Sequence, residues 1–450
     1  MNRAGPVIIL LCLTGCAIGP DYKRPPLAVT DGYPVPDMAA GGQNLVTGAP
    51  PSQWWQGFGS PSLDALVEQA QCQSPTILAA AARLKAARED LRAEKGALWP
   101  SLSAGQDQTQ QSYSNVPGGS GTFYDVTTQS VSISYGFDLM GGERRTIEGK
   151  AARSDYALYE QAAASQSLSA NVVATAIDVS ALAEQAEASR DIIASQQALV
   201  ALVQGQVQAG SASQEDVLSA EARLSTQDAE LNALCRDLAQ ARHRLAVLLG
   251  RSPAEAVAVD WKLADLTLPG NLPVSLPSDL VEQRPDILAQ EARLQQASAD
   301  VGVAEANMFP RLTLDGNYSA SVWYLTNRLW QPIFAGGSLN AQRKSAVDAY
   351  EAAGADYRAT VLGAFQNVAD VLSALENDNK TWASSSSRLN DGQASLALME
   401  DRFSAGTVSR IGLLTQRQAF QETRIAFLQA TADRLADTVA LYQALGGHDW

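Results

Sequence analysis

The clearest chemical signal in the sequence is a cysteine near its start. Cys16 follows Leu13-Thr14-Gly15, which ends an apolar run from Val7, and Arg3 supplies a short positive start. Small residues before a cysteine at the end of such a run are typical of a bacterial lipoprotein signal, in which the thiol is lipidated after cleavage. We therefore predict that residues 1–15 are removed and that Cys16 carries the lipid. An ordinary secretory signal cut nearby is the alternative.

Lipidation would decide where the protein resides. Several acyl chains on one residue anchor a protein firmly, because each buried CH2 group contributes about 0.8 kcal/mol. The residue after the cysteine is Ala17 rather than Asp, which by the usual sorting rule favours the outer membrane. The expected location is the cell outer membrane, with the lipid-anchored chain extending into the periplasm.

Residues suited to catalysis are scarce. The chain has two histidines, His243 and His448, so the usual general base and metal ligand are almost absent. His243 lies between Arg242 and Arg244 in a helical run, where a solvated side chain is expected. The sequence offers no nucleophile–base pair, phosphate-binding loop or metal-ligand cluster. It therefore predicts a protein that is not an enzyme and has no cofactor and no metal site.

The overall charge is acidic. A formal net charge of −15 argues against a nucleic-acid partner, because phosphates favour Lys and Arg. The acidic balance suits either a solvated periplasmic surface or a channel that favours cations, and plain solubility explains it equally well.

Two further cysteines, Cys72 and Cys235, lack CxxC and zinc-type spacing. We expect both to be buried thiols. A disulfide between them stays open as the alternative in an oxidising compartment.

Prolines divide the chain into segments of two kinds. They are frequent up to Pro117, absent from Gly118 to Ser252, frequent again from Pro253 to Pro332, and then absent. Because proline breaks helix interiors, long helices can run in the two proline-free stretches. After the signal, no stretch has the roughly 18 consecutive apolar residues of a transmembrane helix, so a membrane would have to be spanned by β-strands.

The sequence also contains an internal repeat. Ser74 to Leu102 aligns with Arg284 to Leu312 at a constant offset of 210. A second block recurs at an offset near 196, where Ala209-Gly210 corresponds to Ala405-Gly406. Chance is a poor explanation for two blocks in the same order, so we predict two structural repeats.

Each repeat has the pattern helix, β-hairpin, long helix, turn, helix. A long helix measures about 100 Å at roughly 1.5 Å per residue, and the two shorter helices stacked end to end measure about 90 Å. Repeat one is assigned to residues 63–250, with a β-hairpin at 101–139, a long helix at 143–208 and a helix at 214–249. Repeat two is assigned to residues 279–447, with a β-hairpin at 311–334, a long helix at 338–404 and a helix at 411–446. Residues 16–62, 251–278 and 448–450 lie outside the repeats.

The returning helices carry apolar stripes at seven-residue spacing, which predict coiled-coil packing with a left-handed twist. An ordinary helix-bundle core is the alternative. The stripe of repeat two is interrupted by Arg434. The stripes consist of Val217, Leu224, Leu231, Leu238 and Leu245 in repeat one and of Leu413, Phe420, Phe427 and Leu441 in repeat two.

The expected hairpins are amphipathic. The segment from Ser130 to Phe137 alternates polar and apolar residues, which suits a barrel strand with lipid outside and water inside. Residues 312–318 alternate in the same way, whereas the stretch from Tyr324 to Phe334 alternates poorly and is rich in Trp and Tyr. The loop 115–121 is expected to be a flexible outer turn. Because four strands cannot close a barrel, several copies must share one; a soluble hairpin is the alternative.

Several motifs along the chain carry a resemblance to a known family. They are Cys16 to Pro25, Trp54-Trp55, Gln283-Arg284-Pro285-Asp286-Ile287, Phe309-Pro310 and Leu445-Gly446-Gly447 with Trp450. With these motifs the chain resembles the outer membrane factors of tripartite efflux systems, the TolC-like family, in the lipoprotein branch of resistance-nodulation-division type multidrug pumps. The resemblance covers nearly the whole chain.

The resemblance implies a mixed α and β membrane protein that forms a homotrimer. A twelve-stranded outer-membrane β-barrel would continue into a periplasmic α-helical barrel of twelve columns. Segments around Gln43–Ser60, Pro253–Ser275 and the C-terminus would form an equatorial belt. The implied partners are a periplasmic adaptor protein, an inner-membrane efflux transporter and outer-membrane lipid.

By the same resemblance, the adaptor should dock on the two helix turns, where glycine permits a sharp reversal at low cost. An ordinary helix–helix turn is the alternative. The docking residues would be Ala209, Gly210, Ser211, Ala212 and Ser213 in the first turn and Ala405, Gly406, Thr407, Val408 and Ser409 in the second.

The family's closed gate commonly uses acidic residues just past the second turn. The matching positions here are Gly412 and Thr415, and neither is acidic. Asp216 keeps its carboxylate at the equivalent place in repeat one, with Glu215 and Arg410 nearby. We therefore predict a periplasmic constriction made by these three charged residues instead of an aspartate ring.

The resulting functional prediction is passive conduction of drugs or toxic compounds past the periplasm and outer membrane, with energy supplied by the inner-membrane partner. Two alternatives stay open. One is an outer-membrane duct for a protein secretion system, and the other is a periplasmic scaffold without a pore.

Overall fold

The structure is a computed structural model that describes residues 17–26, 42–113, 122–255, 257, 259–275 and 277–446. The predicted signal at 1–15, Cys16, residues 27–41 of the predicted N-terminal segment, the loop 115–121 and the tail 448–450 lie outside the described residues. The chain divides into two compact units. The first contains residues 17–26, Ala82–Leu158 and Ala289–Ala359, and the second contains the described residues of Ala28–Ala81, Tyr159–Leu288 and Thr360–Trp450.

Helices and two hairpins make up most of the described chain. The elements begin with β1 (Asn44–Thr47), a short 3-10 helix (Trp54–Phe58), α1 (Pro61–Gln73), α2 (Pro75–Gly96), β2 (Ser101–Tyr113), β3 (Thr122–Phe137), α3 (Gly142–Gln208) and α4 (Gln214–Leu248). They continue with a 3-10 helix (Leu263–Asp265), β4 (Asn271–Val274), α5 (Pro277–Gln283), α6 (Pro285–Ala306), β5 (Arg311–Ser319), β6 (Trp323–Trp330), α7 (Ser338–Ser404) and α8 (Arg410–Leu445). Among the helices described, none has the length and apolar character needed to cross a bilayer.

The long helices α3 and α7 each contain 67 residues and coincide with the proline-free stretches. Local chemistry sets where α3 begins. The carboxylate of Asp138 accepts hydrogen bonds from the backbone N–H groups of Glu143 and Arg144, both at 3.1 Å. These bonds satisfy donors that an α-helix leaves unpaired in its first turn.

The first unit contains a four-stranded antiparallel sheet in the order β2-β3-β5-β6. Its polar face is internally hydrogen-bonded: the Ser134 hydroxyl donates to Asp315 at 2.7 Å, and the Asn317 amide donates to Ser132 at 2.8 Å. The opposite face carries apolar residues on all four strands. They are Leu102, Ala104, Val131, Ile133, Tyr135, Phe137, Leu312, Leu314, Tyr318, Trp323, Leu325 and Leu329.

Strand β6 alternates poorly, as the sequence predicted, but it ends earlier than expected. Trp323, Leu325 and Leu329 share the apolar face with Asn327, whereas Tyr324 and Trp330 lie on the polar face opposite Asn317 and Arg311. The strand ends at Trp330, so the last four residues of the expected hairpin at 311–334 lie outside it. Proline has no N–H to donate to a sheet, which accounts for an end before Pro332.

The core of the second unit is built around aromatic residues. Trp54, Trp55 and Phe58 are buried, and Trp54 stacks on Tyr442 of α8 with ring centroids 5.1 Å apart. Strand β1 pairs in parallel with β4, and the Gln43 side chain donates to the Pro269 carbonyl oxygen at 3.2 Å. The segments expected to form a belt therefore meet one another and α8.

Two helix joints in this unit have the same construction. Gly250, just past α4, has φ +74°, and a Cβ there would lie 2.5 Å from the Gln73 carbonyl oxygen. Gly446, just past α8, has φ +77°, and a Cβ there would lie 3.2 Å from the Cα of Arg284. The Arg284 guanidinium also donates to the Ala444 carbonyl oxygen at 2.7 Å. The end of α4 thus rests on the α1–α2 joint, and the end of α8 rests on the α5–α6 joint.

Two side chains clarify the sequence interpretation. Arg434, which interrupts the seven-residue stripe of α8, is buried with its guanidinium 4.5 Å from the centre of the Trp382 ring. Cys72 is a free and exposed thiol, so the expectation that it is buried is wrong. The buried stripe of α1 consists of Leu63, Val67 and Ala70, and position 72 lies off that stripe. Cys235 is also free and is partly buried.

Candidate docking turns and gate

The turn between α3 and α4 is a tight helix-ending motif centred on glycine. Gly210 has φ +74°, in the left-handed region that side chains disfavour. The Ser211 N–H donates to the Gln206 carbonyl oxygen at 2.8 Å, and the Gly210 N–H donates to that of Val207 at 3.0 Å. This pair of bonds is the Schellman motif, which satisfies carbonyl groups that the helix end leaves free.

The turn between α7 and α8 has the same geometry. Gly406 has φ +73°, its N–H donates to the Phe403 carbonyl oxygen at 3.0 Å, and the Thr407 N–H donates to that of Arg402 at 2.9 Å. A Cβ at Gly406 or at Gly210 would meet nothing within 4 Å. The ten predicted docking residues therefore lie in two turns of matching shape, with open space beside each glycine.

The helices that follow the turns begin differently. Ser213 and Ser409 are both N-caps, and their hydroxyls accept the N–H groups of Asp216 and Gly412 at 3.2 Å. In α4 the Asp216 carboxylate also accepts the Ser213 N–H at 2.8 Å, which completes a capping box. Gly412 leaves α8 without this second bond. Hydrogen bonds from Ser213 lower the pKa of Asp216, so its carboxylate is firmly ionised.

The three predicted gate residues are exposed at the starts of α4 and α8. Glu215, Asp216 and Arg410 form no ion pair with one another within the part of the chain that the structure describes. Of the three, Asp216 has a defined local role as a capping residue. A constriction made by these residues would therefore have to form between copies of the chain.

The N-terminal motif that follows Cys16 makes contacts in the first unit that the sequence did not predict. Residues 17–26, which directly follow Cys16, form an extended strap on α3 and α6. The Arg145 side chain, 5% exposed, donates to the Ile18 and Gly19 carbonyl oxygens at 3.2 Å and to Asp21 at 2.9 Å. Ala17 itself lies against Gly141, whose missing side chain permits the close approach.

The far end of the strap is held by Glu291 of α6. Arg24 makes a two-pronged ion pair with this carboxylate at 2.7 and 2.8 Å, and the Tyr22 hydroxyl donates to it at 3.0 Å. Burial, ahead of the nearby Glu291 charge, raises the pKa of Tyr22, so the hydroxyl stays neutral and remains a donor. The strap is thus fixed at both ends.

Comparison with known proteins decides the family. A family model described as outer membrane efflux protein matches residues 66–251 and 276–447. The chain belongs to this family. Members of the outer membrane efflux protein family are channels of the outer membrane, and this chain is accordingly an outer-membrane channel of the tripartite efflux class.

Individual outer membrane efflux proteins are similar over nearly the whole length. The pyoverdine export outer membrane protein OpmQ of Pseudomonas putida is 30% identical over 421 residues, which cover 88% of each chain. The toluene efflux pump outer membrane protein TtgF of Pseudomonas putida is 28% identical and covers 98% of this chain and 96% of the relative. The solved structure of the outer-membrane channel OprN matches with a TM-score of 0.81 at 27% identity, covering 96% of this chain and 99% of OprN.

Proposed function

We propose that three copies of this outer membrane efflux protein assemble into one duct, with a twelve-stranded β-barrel above twelve helical columns. The observation that carries the proposal is the four-stranded sheet, apolar on one face and polar on the other. Within the described chain, its outer strands β2 and β6 each have only one neighbour. Open strand edges are not tolerated in lipid, so strands from other copies must pair with both edges.

Two internal repeats per copy would give the duct a wall in which all helical columns have nearly the same length. The matching helix turns at Gly210 and Gly406 and the matching helix joints at Gly250 and Gly446 support this assignment. Within each repeat, the long helix forms one column and the two shorter helices, resting end to end, form another. The antiparallel column pairs of the three copies, packed side by side, would then close the tube.

The assembly is tested by mass and by conductance. Protein purified in detergent should have the mass of three chains by light scattering and should form ion-conducting pores in planar bilayers. A stable monomer would contradict the duct. A trimer without conductance would favour a scaffold.

The duct is proposed to carry small molecules rather than proteins, passively and without catalysis. Relatives named for pyoverdine export and toluene efflux support this cargo class. The transport energy would come from an inner-membrane transporter, joined to the duct by a periplasmic adaptor. A strain lacking the protein should become sensitive to a set of small toxic compounds, whereas loss of a secreted protein with unchanged sensitivity would favour the secretion alternative.

Lipidation of Cys16 is proposed as the membrane anchor. The strap supports it, because the Ile18 N–H donates to the Met140 carbonyl oxygen at 3.0 Å and Ala17 packs on Gly141, three to four residues past the end of β3. Ala17 thus lies beside the end of β3 and the start of α3, and a lipid on the preceding residue is proposed to enter the bilayer there. Radiolabelled palmitate should be incorporated into the parent protein and not into a Cys16→Ser variant.

The two helix turns are proposed as the adaptor-docking surface. Their shared Schellman geometry and the space around Gly210 and Gly406 support close contact with a partner. Ser211→Trp and Thr407→Trp should weaken capture of the purified adaptor, because a large side chain would occupy that space. Exposed Ser225→Trp, on α4 well past the turn, is the matched control and should bind normally.

The constriction formed by Asp216, Glu215 and Arg410 across copies is proposed as the periplasmic gate. Arg410→Glu would replace attraction between these residues by repulsion, which should increase single-channel conductance in planar bilayers. An unchanged conductance would count against this gate, while leaving the channel itself intact.

A further inference from the structure

A cavity of about 450 Å³ lies in the second unit, between α7, α8 and the segment 263–268. All the described residues that line it belong to that unit, so a single copy of the chain forms it. Cavities of this size hold small-molecule ligands when apolar walls are combined with a few polar groups. We name it the α7–α8 cavity.

The walls of the cavity are mainly apolar. Three half-buried aromatic rings line it, Trp382 from α7 and Phe420 and Phe427 from α8. The centroids of the Trp382 and Phe427 rings are 6.2 Å apart, and their planes are tilted by 43°. Leu266 and Leu389 add aliphatic surface. Because aromatic rings favour offset or edge-on contacts with one another at such distances, the walls suit a flat apolar ligand.

Two arginines give the cavity a positive charge. Arg424 and Arg434 line it, and Glu184 is the single acidic residue among its described lining residues. The Glu184 carboxylate already accepts the Leu263 N–H at 2.8 Å. In a chain with a net charge of −15, an apolar cavity with more basic than acidic groups does not follow from the average composition. Water screens a charge beside apolar walls poorly, so the cavity attracts an anion.

Arg424 is placed to bind such an anion directly. It follows Phe420 by four residues and precedes Phe427 by three, so the three side chains share one face of α8. Its guanidinium is 4.0 Å from the Glu187 carboxylate, and the two side chains are 28% and 55% exposed. A long ion pair between partly exposed groups contributes little stability, so an incoming anion can replace Glu187. Arg434 lies about 15 Å further along the helix at about 1.5 Å per residue, and it acts through its charge.

We infer that the α7–α8 cavity binds an aromatic small molecule that carries one acidic group, a carboxylate or a sulfonate. Its rings pack on Trp382, Phe420 and Phe427, and its acidic group pairs with Arg424. The bound molecule contacts α7, α8 and the segment 263–268 together, so binding stabilises the packing of these segments. The site belongs to one copy and does not rest on the proposed trimer. A side chain of a neighbouring copy is the competing occupant.

Naphthalene-2-sulfonate is the probe, because it combines a flat apolar ring system with one negative charge. Isothermal titration calorimetry of the purified protein in lipid nanodiscs, corrected with empty nanodiscs, should show a single probe bound per chain. Neutral naphthalene-2-sulfonamide has nearly the same shape and should bind about tenfold more weakly, because it lacks the charge-assisted hydrogen bond. Absence of probe binding, as expected if a neighbouring copy fills the cavity, or equal affinities for the two probes would overturn the inference.

A charge variant tests the role of Arg424. Arg424→Gln should weaken sulfonate binding about tenfold and leave sulfonamide binding nearly unchanged. The matched control is Arg417→Gln, at an exposed arginine of α8 that pairs with Glu400 at 2.8 Å, and it should bind both probes as the parent does. An unchanged sulfonate affinity in Arg424→Gln, or an equal loss of both probes, would contradict the assigned pairing.

A filled cavity tests where the probe binds. Leu389→Trp should abolish binding of both probes without changing the charge, whereas Leu398→Trp, at a 58% exposed position of α7, should not. Circular dichroism and the mass of the assembly should show that both variants fold like the parent. Probe binding that survives in Leu389→Trp would place the probe elsewhere and overturn the inference. A monomer that binds the probe would remove the proposed duct and leave the inference intact.

Discussion

The contact between α7 and α8 includes two carboxyl groups that cannot both ionise without cost. Asp437 of α8 is half-buried and hydrogen-bonds Asp378 of α7, with Asp433 one turn away. Burial, the bond to Asp378 and the charges of Asp378 and Asp433 raise the pKa of Asp437 to about 7. Arg434 is a neighbour in sequence, but its guanidinium lies over the Trp382 ring. At neutral pH about half of the molecules therefore carry a proton on Asp437, which is shared with Asp378 through their hydrogen bond.

The direction of the pH effect follows from this shift. The unfolded chain releases the Asp437 proton near the ordinary aspartate pKa of 3.8, whereas the folded protein holds it to about 7. Stability from this group is therefore fully present at low pH, falls as pH rises between these values, and is constant above them. Raising the pKa of Asp437 from 3.8 to about 7 corresponds to a loss of about 4 kcal/mol in the free energy of unfolding. Because the pair is partly exposed, solvent screening reduces this to about 2 kcal/mol.

The perturbation is Asp437→Asn, whose amide can donate to Asp378 at every pH. Thermal unfolding followed by circular dichroism should show the parent losing stability from pH about 4 to about 7, with Tm falling by about 4 °C if each kcal/mol shifts it by about 2 °C. The variant should lack that part of the decline. Asp228→Asn, an exposed change on α4, should follow the parent. Parallel curves for the parent and Asp437→Asn would refute the shared proton.

Three further outcomes are expected. Arg145→Leu removes the buried guanidinium that holds the strap through Ile18, Gly19 and Asp21, and should speed tryptic cleavage within residues 17–26, whereas exposed Arg153→Leu should not. Gly250→Ala should lower Tm more than Gly210→Ala: both residues have φ +74°, but only Gly250 faces a carbonyl oxygen 2.5 Å from the added Cβ, so equal losses would contradict the packing of that joint. Cys72 should react with a maleimide in the folded protein, and protection of this thiol would contradict its exposure.

The helical part of the fold could be predicted because its signals are local. Proline-free runs, Gly210 and Gly406 mark where long helices extend and reverse, and each signal acts through residues within one or two turns. The end of strand β6 is harder to predict, because its residues alternate irregularly: Tyr324 and Trp330 lie on the polar face and Asn327 lies on the apolar one. Pro332 is the local signal that places the end of the strand before it.

The remaining features depend on contacts between residues distant in sequence. Arg145 and Asp21 are 124 positions apart, and no periodicity in either segment indicates that they meet. Arg434 was recognisable as a break in a stripe, but its place over Trp382 depends on how α7 and α8 pack. Cys72 was misjudged because cysteine is usually buried, whereas the phase of the helix, set by Leu63 and Val67, turns position 72 outward.

The two helix hairpins constrain how docking and gating can differ. Their backbones turn through the same hydrogen bonds, and Ser213 and Ser409 cap the returning helices at the same distance. A partner that read backbone shape alone could not distinguish the two turns. The differences lie in side chains: Asp216 completes a capping box where Gly412 cannot, and Arg410 starts one helix where the other begins with Gln214. One turn also carries Ser211, Ala212 and Glu215 where the other has Thr407, Val408 and Ile411. Any unequal role of the two turns must therefore come from these side chains, and exchanging them should exchange the roles while leaving the turns folded.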